Sequence, residues 1–259
     1  SYHPPRVQIF NRQVHHKNRV FNSKLKTHAY DYIHHEISLN IIERLTYIMR
    51  EFEHVAEIGS GKGWIYDILT GMTTEDTMNE ENSEIVDGED SKNALFQRWK
   101  MSQYMIMDQC EKNLQRVQDV SGLQVMRVLA NEERLPIQQK SFDLILSGHY
   151  MHYVNNLEGA FKQINDALKP DGCYIGAMFG GNSLHELKSC FVWAENEREG
   201  GISPHISPMV GVQDVGNLMT SAGFNLPTVD TDEITVVFPD AFTLMKHLQL
   251  MGESNSIMN

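Results

Sequence analysis

The residues Glu57-Ile58-Gly59-Ser60-Gly61-Lys62-Gly63 carry the most telling chemistry of this chain. The apolar run His54-Val55-Ala56 precedes them, and a helix-like stretch, Trp64 to Leu69, follows. A strand that breaks into a glycine turn and then a helix is expected to leave backbone N–H groups free toward a crevice. Glycine is needed there because φ turns positive or because a ligand approaches the backbone closely. Glu57, at the strand end, disfavours a bare pyrophosphate and favours a ligand that brings positive charge or hydroxyls. S-adenosylmethionine, with its ammonium and its sulfonium, fits that description.

Two further places in the chain order converge on the same crevice. Asp108 ends the predicted second strand, where a carboxylate can accept both hydroxyls of a ribose. Leu129-Ala130-Asn131-Glu132-Glu133 follows the third strand and offers polar groups to an adenine edge. With Ser147 closing the fourth strand, the candidate cofactor-binding set is Glu57, Gly59, Ser60, Gly61, Gly63, Asp108, Asn131, Glu132 and Ser147. A nicotinamide cofactor is the competing ligand. Against it, the turn reads G-x-G-x-G behind an acid, and Asp108 lies far beyond the usual spacing of a ribose acid.

The elements that must position these residues follow an alternating order. Apolar periodicity predicts a helix over His35 to Phe52, then strand His54 to Ile58 and the helix from Trp64. Strands are predicted at Gln103 to Asp108, Gln124 to Ala130, Phe142 to Ser147 and Cys173 to Phe179. A long polar-alternating strand is predicted over Thr228 to Phe238. Helices are predicted at Glu111 to Val117, Leu157 to Leu168, Ser183 to Glu199, Gln213 to Gly223 and Pro239 to Met251, with Lys169-Pro170-Asp171-Gly172 as a turn. Alternating strands and helices imply an α/β fold with a doubly wound parallel sheet, whose ligand sits beyond the strand carboxyl ends.

Charge is placed unevenly. The formal net charge of −12 argues against a nucleic-acid partner. Met72 to Ser91 alone supplies eight acids and no base, and reads as a solvated acidic insertion between the first helix of the fold and the second strand. The first 30 residues hold Arg6, Arg12, Lys17, Arg19, Lys24 and Lys26 and no acid, a bias shared by organellar transit peptides and by a folded basic lead-in helix. The expected organisation is a lead-in over 1–34 and one domain over 35–259 with the insertion at 72–91. Cys110, Cys173 and Cys190 form no zinc-like spacing. His34-His35-Glu36 and the pair His149 and His152 come nearest to a non-haem iron pattern and read as core or surface histidines, so no metal site is expected. No apolar run reaches the roughly 18 residues of a membrane span.

These motifs resemble the class I S-adenosylmethionine-dependent methyltransferases. The runs Ile175 to Gly181, Glu195 to Gly201, Ser203 to Pro208, Asp230 to Ile234 and Met251 to Asn255, with Ile9 to Gln13 at the amino end, resemble the mitochondrial complex I assembly factor 5 family. The resemblance implies a Rossmann-like fold, S-adenosylmethionine as cofactor and a place on the matrix face of the mitochondrial inner membrane, peripheral and without a spanning helix. It also implies an early role in complex I assembly and hydroxylation of an arginine in an iron–sulfur subunit. Departures from the family pattern are Asn131 in place of aspartate, His149-Tyr150 in place of small or aliphatic residues, and the acidic insertion. The family continues past the Met-Gly-Glu-Ser-Asn run, so the sheet is expected to lack its last strand.

An arginine-bearing substrate needs carboxylates for its guanidinium. Ser183 to Pro208, expected over the crevice mouth, carries Glu195, Glu197, Glu199 and His205. The resemblance, more than the residue types alone, makes Glu197, Arg198 and His205 the candidate catalytic residues. The plain alternative is that Arg198 pairs with a neighbouring acid to pin its loop. Three functions stay open at this point: an arginine-modifying enzyme, a methyltransferase on another substrate, and a non-catalytic assembly chaperone.

Overall fold

A computed structural model of the chain describes residues 8–25, 29–72, 95–201 and 203–258. The acidic insertion, beyond Met72, lies outside the described residues. Helix α1 (Arg12–Ser23) starts at Asn11, whose side chain accepts from Gln13 N and Val14 N. Helix α2 (Tyr32–Thr46) follows, and then the alternating series begins: β1 (His54–Ile58), α3 (Trp64–Thr70), β2 (Gln103–Asp108), α4 (Glu111–Arg116), β3 (Gln124–Leu129), β4 (Phe142–Ser147), α5 (Leu157–Ala167) and β5 (Leu168–Gly176). Helices α6 (His185–Arg198), α7 (Val212–Ser221) and α8 (Ala241–Met251) complete the order.

Among the described residues five strands pair in the order β3-β2-β1-β4-β5, and each of these pairings is parallel. Central β1 is sealed on both faces, as an apolar parallel strand must be. On one face Leu39, Ile42 and Leu45 of α2 and Ile65 and Leu69 of α3 meet Val55 and Leu146. On the other, Ala160, Phe161 and Ile164 of α5 meet Ala56, Ile58 and Ile145. Reversal of chain order between β1 and β4 puts the crevice at the carboxyl ends of β1, β2 and β4.

Three expectations are corrected. Helix α2 ends at Thr46 rather than Phe52, because its buried face stops at Leu45 and Met49 is 92% exposed. The turn at Lys169 to Gly172 lies inside β5. Between Phe142↔Leu168 and Leu144↔Cys173, β4 advances two residues and β5 five, so the extra residues bulge outward, with Asp171 at φ 62°. Thr228 to Phe238 forms no strand: it pairs with no ladder, and Val237 is 89% exposed. Its alternation meets no partner strand, and Asp230 and Asp232 instead hold Arg44 at 2.9 and 2.5 Å.

Candidate active-site crevice

The glycine turn is built by backbone geometry. Gly59, Gly61 and Gly63 have φ of 66°, 59° and 91°, where a side chain costs about 1–2 kcal/mol. Folding back over β2 spends the turn's donors. Gly59 N and Ser60 N donate to Met107 O at 2.9 and 3.1 Å, Gly63 N to Ser60 O at 3.1 Å, and Gly61 N to Asp108 Oδ2 at 2.9 Å. The expectation of free N–H groups is thereby corrected. Trp64 covers the turn so closely that a Cβ on Gly61 would fall 2.3 Å from its ring. Ser60 Oγ and Trp64 Nε1 are buried and have no hydrogen-bond partner among the described residues.

Glu57 faces inward rather than into the crevice. It is fully buried, and its Oε2 accepts from the Tyr104 hydroxyl at 2.6 Å. Burial pushes its carboxyl up to about 8, helped by the charges of Asp67 and Asp108 and opposed by the Tyr104 hydrogen bond. It is therefore protonated at neutral pH and brings no full negative charge. Ser147 is also fully buried, beside the Tyr174 hydroxyl.

Asp108 and Glu132 face each other across Arg19 of α1. Asp108 Oδ2 accepts from Gly61 N and from Arg19 Nη2, and Oδ1 accepts from Cys110 N at 2.6 Å and Asn113 Nδ2 at 3.3 Å. Glu132 Oε1 accepts from Arg19 Nη1, and Oε2 from Gln109 and from Arg12 Nη2, the latter at 2.6 Å. Asn131 Oδ1 accepts from Glu133 N at 3.0 Å and Arg12 Nη2 at 3.2 Å. Burial and the charge of Glu132 push Asp108 up to about 6 against the pull of Arg19. Burial also opposes ionisation of Glu132, but Arg19, Arg12 and Gln109 outweigh it and hold that carboxyl at about 2. The shared cation thus serves Glu132 fully and Asp108 in part.

Tyr150 closes the floor. It sits at φ 75°, and its ring centroid lies 3.8 Å from the Arg19 Cζ. Next to it, His34 stacks on Trp64 at 4.8 Å and meets His149 edge-on at the same separation. Burial and the adjacent His34 keep the His149 ring neutral. Glu253, just past α8, sends one carboxylate oxygen to His152 Nε2 at 3.2 Å and the other to His34 Nε2 at 3.6 Å. Among the described residues, no group of three or more His, Cys, Asp or Glu side chains is arranged to hold a metal ion. Between His34, His149, His152, Met178 and Phe179 there is no room for a water molecule. Past the end of β3, Leu129, Asn131, Arg134 and Pro136 border an open depression of about 560 Å³.

The candidate catalytic residues lie on a different element. No residue of α6 is buried, and Glu197 and Arg198 are exposed at its end with no ion pair among the described residues. Glu195 does the pinning expected of Arg198: it pairs with His205 and accepts from Ser203 N at 2.9 Å, while Phe191 stacks on the His205 ring at 4.7 Å. The structure brings together Gly59, Gly61, Asp108, Asn131 and Glu132, and adds Arg12, Arg19, Trp64 and Tyr150, which sequence reasoning did not assign. One signal for the arginines was present: Arg12 and Arg19, seven residues apart, share a helix face in an acid-free segment.

S-adenosylmethionine asks this crevice for acceptors and for space. In kind the residues fit: Asp108, Asn131 and the unpartnered Ser60 hydroxyl are groups that can hydrogen-bond a nucleoside. The space does not fit, because Arg19 holds Asp108 and the side chains around His149 leave none.

A parallel 3-2-1-4-5 sheet with a glycine turn after its first strand and an acid ending its second defines a class I, Rossmann-like methyltransferase fold. A methyltransferase-domain family model matches residues 88–176. A SAM-dependent methyltransferase from Leishmania major superposes with a TM-score of 0.51 at 12% identity, covering 81% of this chain and 73% of that one. All of this chain aligns with "Arginine-hydroxylase NDUFAF5, mitochondrial" of Mus musculus at 37% identity and of Homo sapiens at 38%. It spans 68% and 67% of those relatives' lengths. The chain belongs to the NDUFAF5 arginine-hydroxylase family.

Proposed function

We propose that this chain is a mitochondrial complex I assembly factor that hydroxylates an arginine of an iron–sulfur subunit, with S-adenosylmethionine as the ligand of the crevice. The observation that carries the reading is similarity along the whole chain to relatives named as mitochondrial arginine hydroxylases. The acids at the ends of β2 and β3 support the nucleoside ligand, and the unburied, glutamate-bearing α6 supports a cationic substrate segment. Glu197, Arg198 and His205 meet that segment in this reading. Among the described residues no helix is long and apolar enough to cross a membrane, which is compatible with a peripheral position on the matrix face of the inner membrane.

Mass spectrometry of the subunit's arginine peptides, from mitochondria with and without this chain, tests the proposal. A gain of one oxygen supports hydroxylation, a gain of a methyl group supports a methyltransferase, and no change contradicts both. The filled crevice favours one second reading, a non-catalytic assembly chaperone that keeps the fold for binding. It predicts that Asp108→Ala abolishes cofactor binding yet still rescues complex I assembly.

A further inference from the structure

The misfit between donor chemistry and space has one physical source, α1. We propose that Arg19 is a built-in competitor for the cofactor crevice, so that α1 must withdraw from Asp108 before a ribose can bind there. The proposal rests on reading the crevice as a nucleoside site.

Four observations carry it. A carboxylate has about four lone-pair positions, and Asp108 has four donors, so its hydroxyl-binding capacity is spent. Three of those donors, Gly61, Cys110 and Asn113, are fixed beside the carboxyl end of β2. Arg19 alone comes from an element that can leave. The seat is specific to a guanidinium: two carboxylates grip its edge, and Tyr150, held at a left-handed φ, covers its face.

Helix α1 is also built to separate. Its buried residues, His15, Arg19, Asn22 and Ser23, are all polar, while Phe21 is 50% exposed. Its hydrogen-bonded anchors are Asn22 Nδ2 to Leu250 O at 2.6 Å, Asn18 Nδ2 to Ser254 O at 3.3 Å, and Arg12 to Glu132, and the His15 ring packs on Tyr153 at 4.1 Å. Withdrawal therefore exchanges hydrogen bonds for water and uncovers the Tyr150 and Tyr153 rings rather than an aliphatic core. A ribose hydroxyl takes the Asp108 position that Arg19 gives up.

The probe is S-adenosylhomocysteine, titrated calorimetrically into the wild-type chain, Arg19→Met and Arg12→Gln. The Arg12 change loosens α1 without touching Asp108. Because affinity falls with the fraction of closed crevice, Arg19→Met is expected to bind about tenfold tighter or more, with Arg12→Gln in between. In the wild type, amides of α1 are expected to lose hydrogen-exchange protection when the ligand saturates. If Arg19→Met does not fold, the Arg12→Gln affinity and the exchange of α1 decide. Equal or weaker binding by the variants, with α1 protection unchanged, overturns the competitor and leaves the nucleoside site standing. No binding by any of the three chains overturns both.

Discussion

Glu57 carries a proton where the turn motif leads one to expect a charge. Folded, its carboxyl titrates near 8; unfolded, it titrates near 4.5. Between those values the folded state holds the extra proton, so this residue makes stability fall as pH rises through that window. Glu57→Gln is expected to flatten the dependence by about one proton, or about 1.4 kcal/mol per pH unit, in urea unfolding between pH 5 and 8. An unchanged slope contradicts the buried, protonated acid. Glu132 has the opposite sign. Its folded value of about 2 lies below its unfolded 4.5, so its contribution is full above pH 4.5 and lost as pH falls toward 2. Glu132→Gln is expected to cost about 3–5 kcal/mol at pH 7, because Arg19 stays buried with half its compensation, and much less near pH 2. Gly61→Ala strains a left-handed position against Trp64. It should lower stability by at least about 1–2 kcal/mol, read from the denaturation midpoint at constant slope.

At the scale of elements, the sheet was legible where one residue pattern decides a strand. Val55, Ala56 and Ile58 around the single acid Glu57, and Leu144 to Leu146, put apolar residues on both faces between turns, so β1 and β4 read directly. Asp108 was found from its place at a strand end. Two kinds of element were not legible. Thr228 to Phe238 alternates like a strand, yet a strand exists only when another chain segment pairs with it, and local sequence does not reveal that. Its amides are expected to exchange rapidly while those of β1 stay protected; slow exchange over 228–238 contradicts the unpaired description. Helix α1 was legible as a basic lead-in but its role was not. That Arg19 meets Asp108 and Glu132, 89 and 113 residues away, depends on the folded sheet.

At the scale of the molecule, a methyltransferase-type sheet is paired with a crevice closed by the chain's own arginine. The acid-free amino segment and the acids after β2 and β3 are two halves of one electrostatic arrangement, in which Arg12 and Arg19 neutralise Glu132 and Asp108. Family membership links the fold to relatives named as arginine hydroxylases, and the turn-plus-acid arrangement supports the proposed nucleoside site. The residue pattern alone singled out Asp108 and Glu132; their contact with Arg19 became visible only in three dimensions. A crystal structure of the chain grown with S-adenosylhomocysteine tests this most directly. The account predicts a ribose hydroxyl on Asp108, the adenine edge beside Asn131, and Arg19 displaced from the crevice. A structure with ligand bound elsewhere, or with Arg19 still on Asp108, contradicts it.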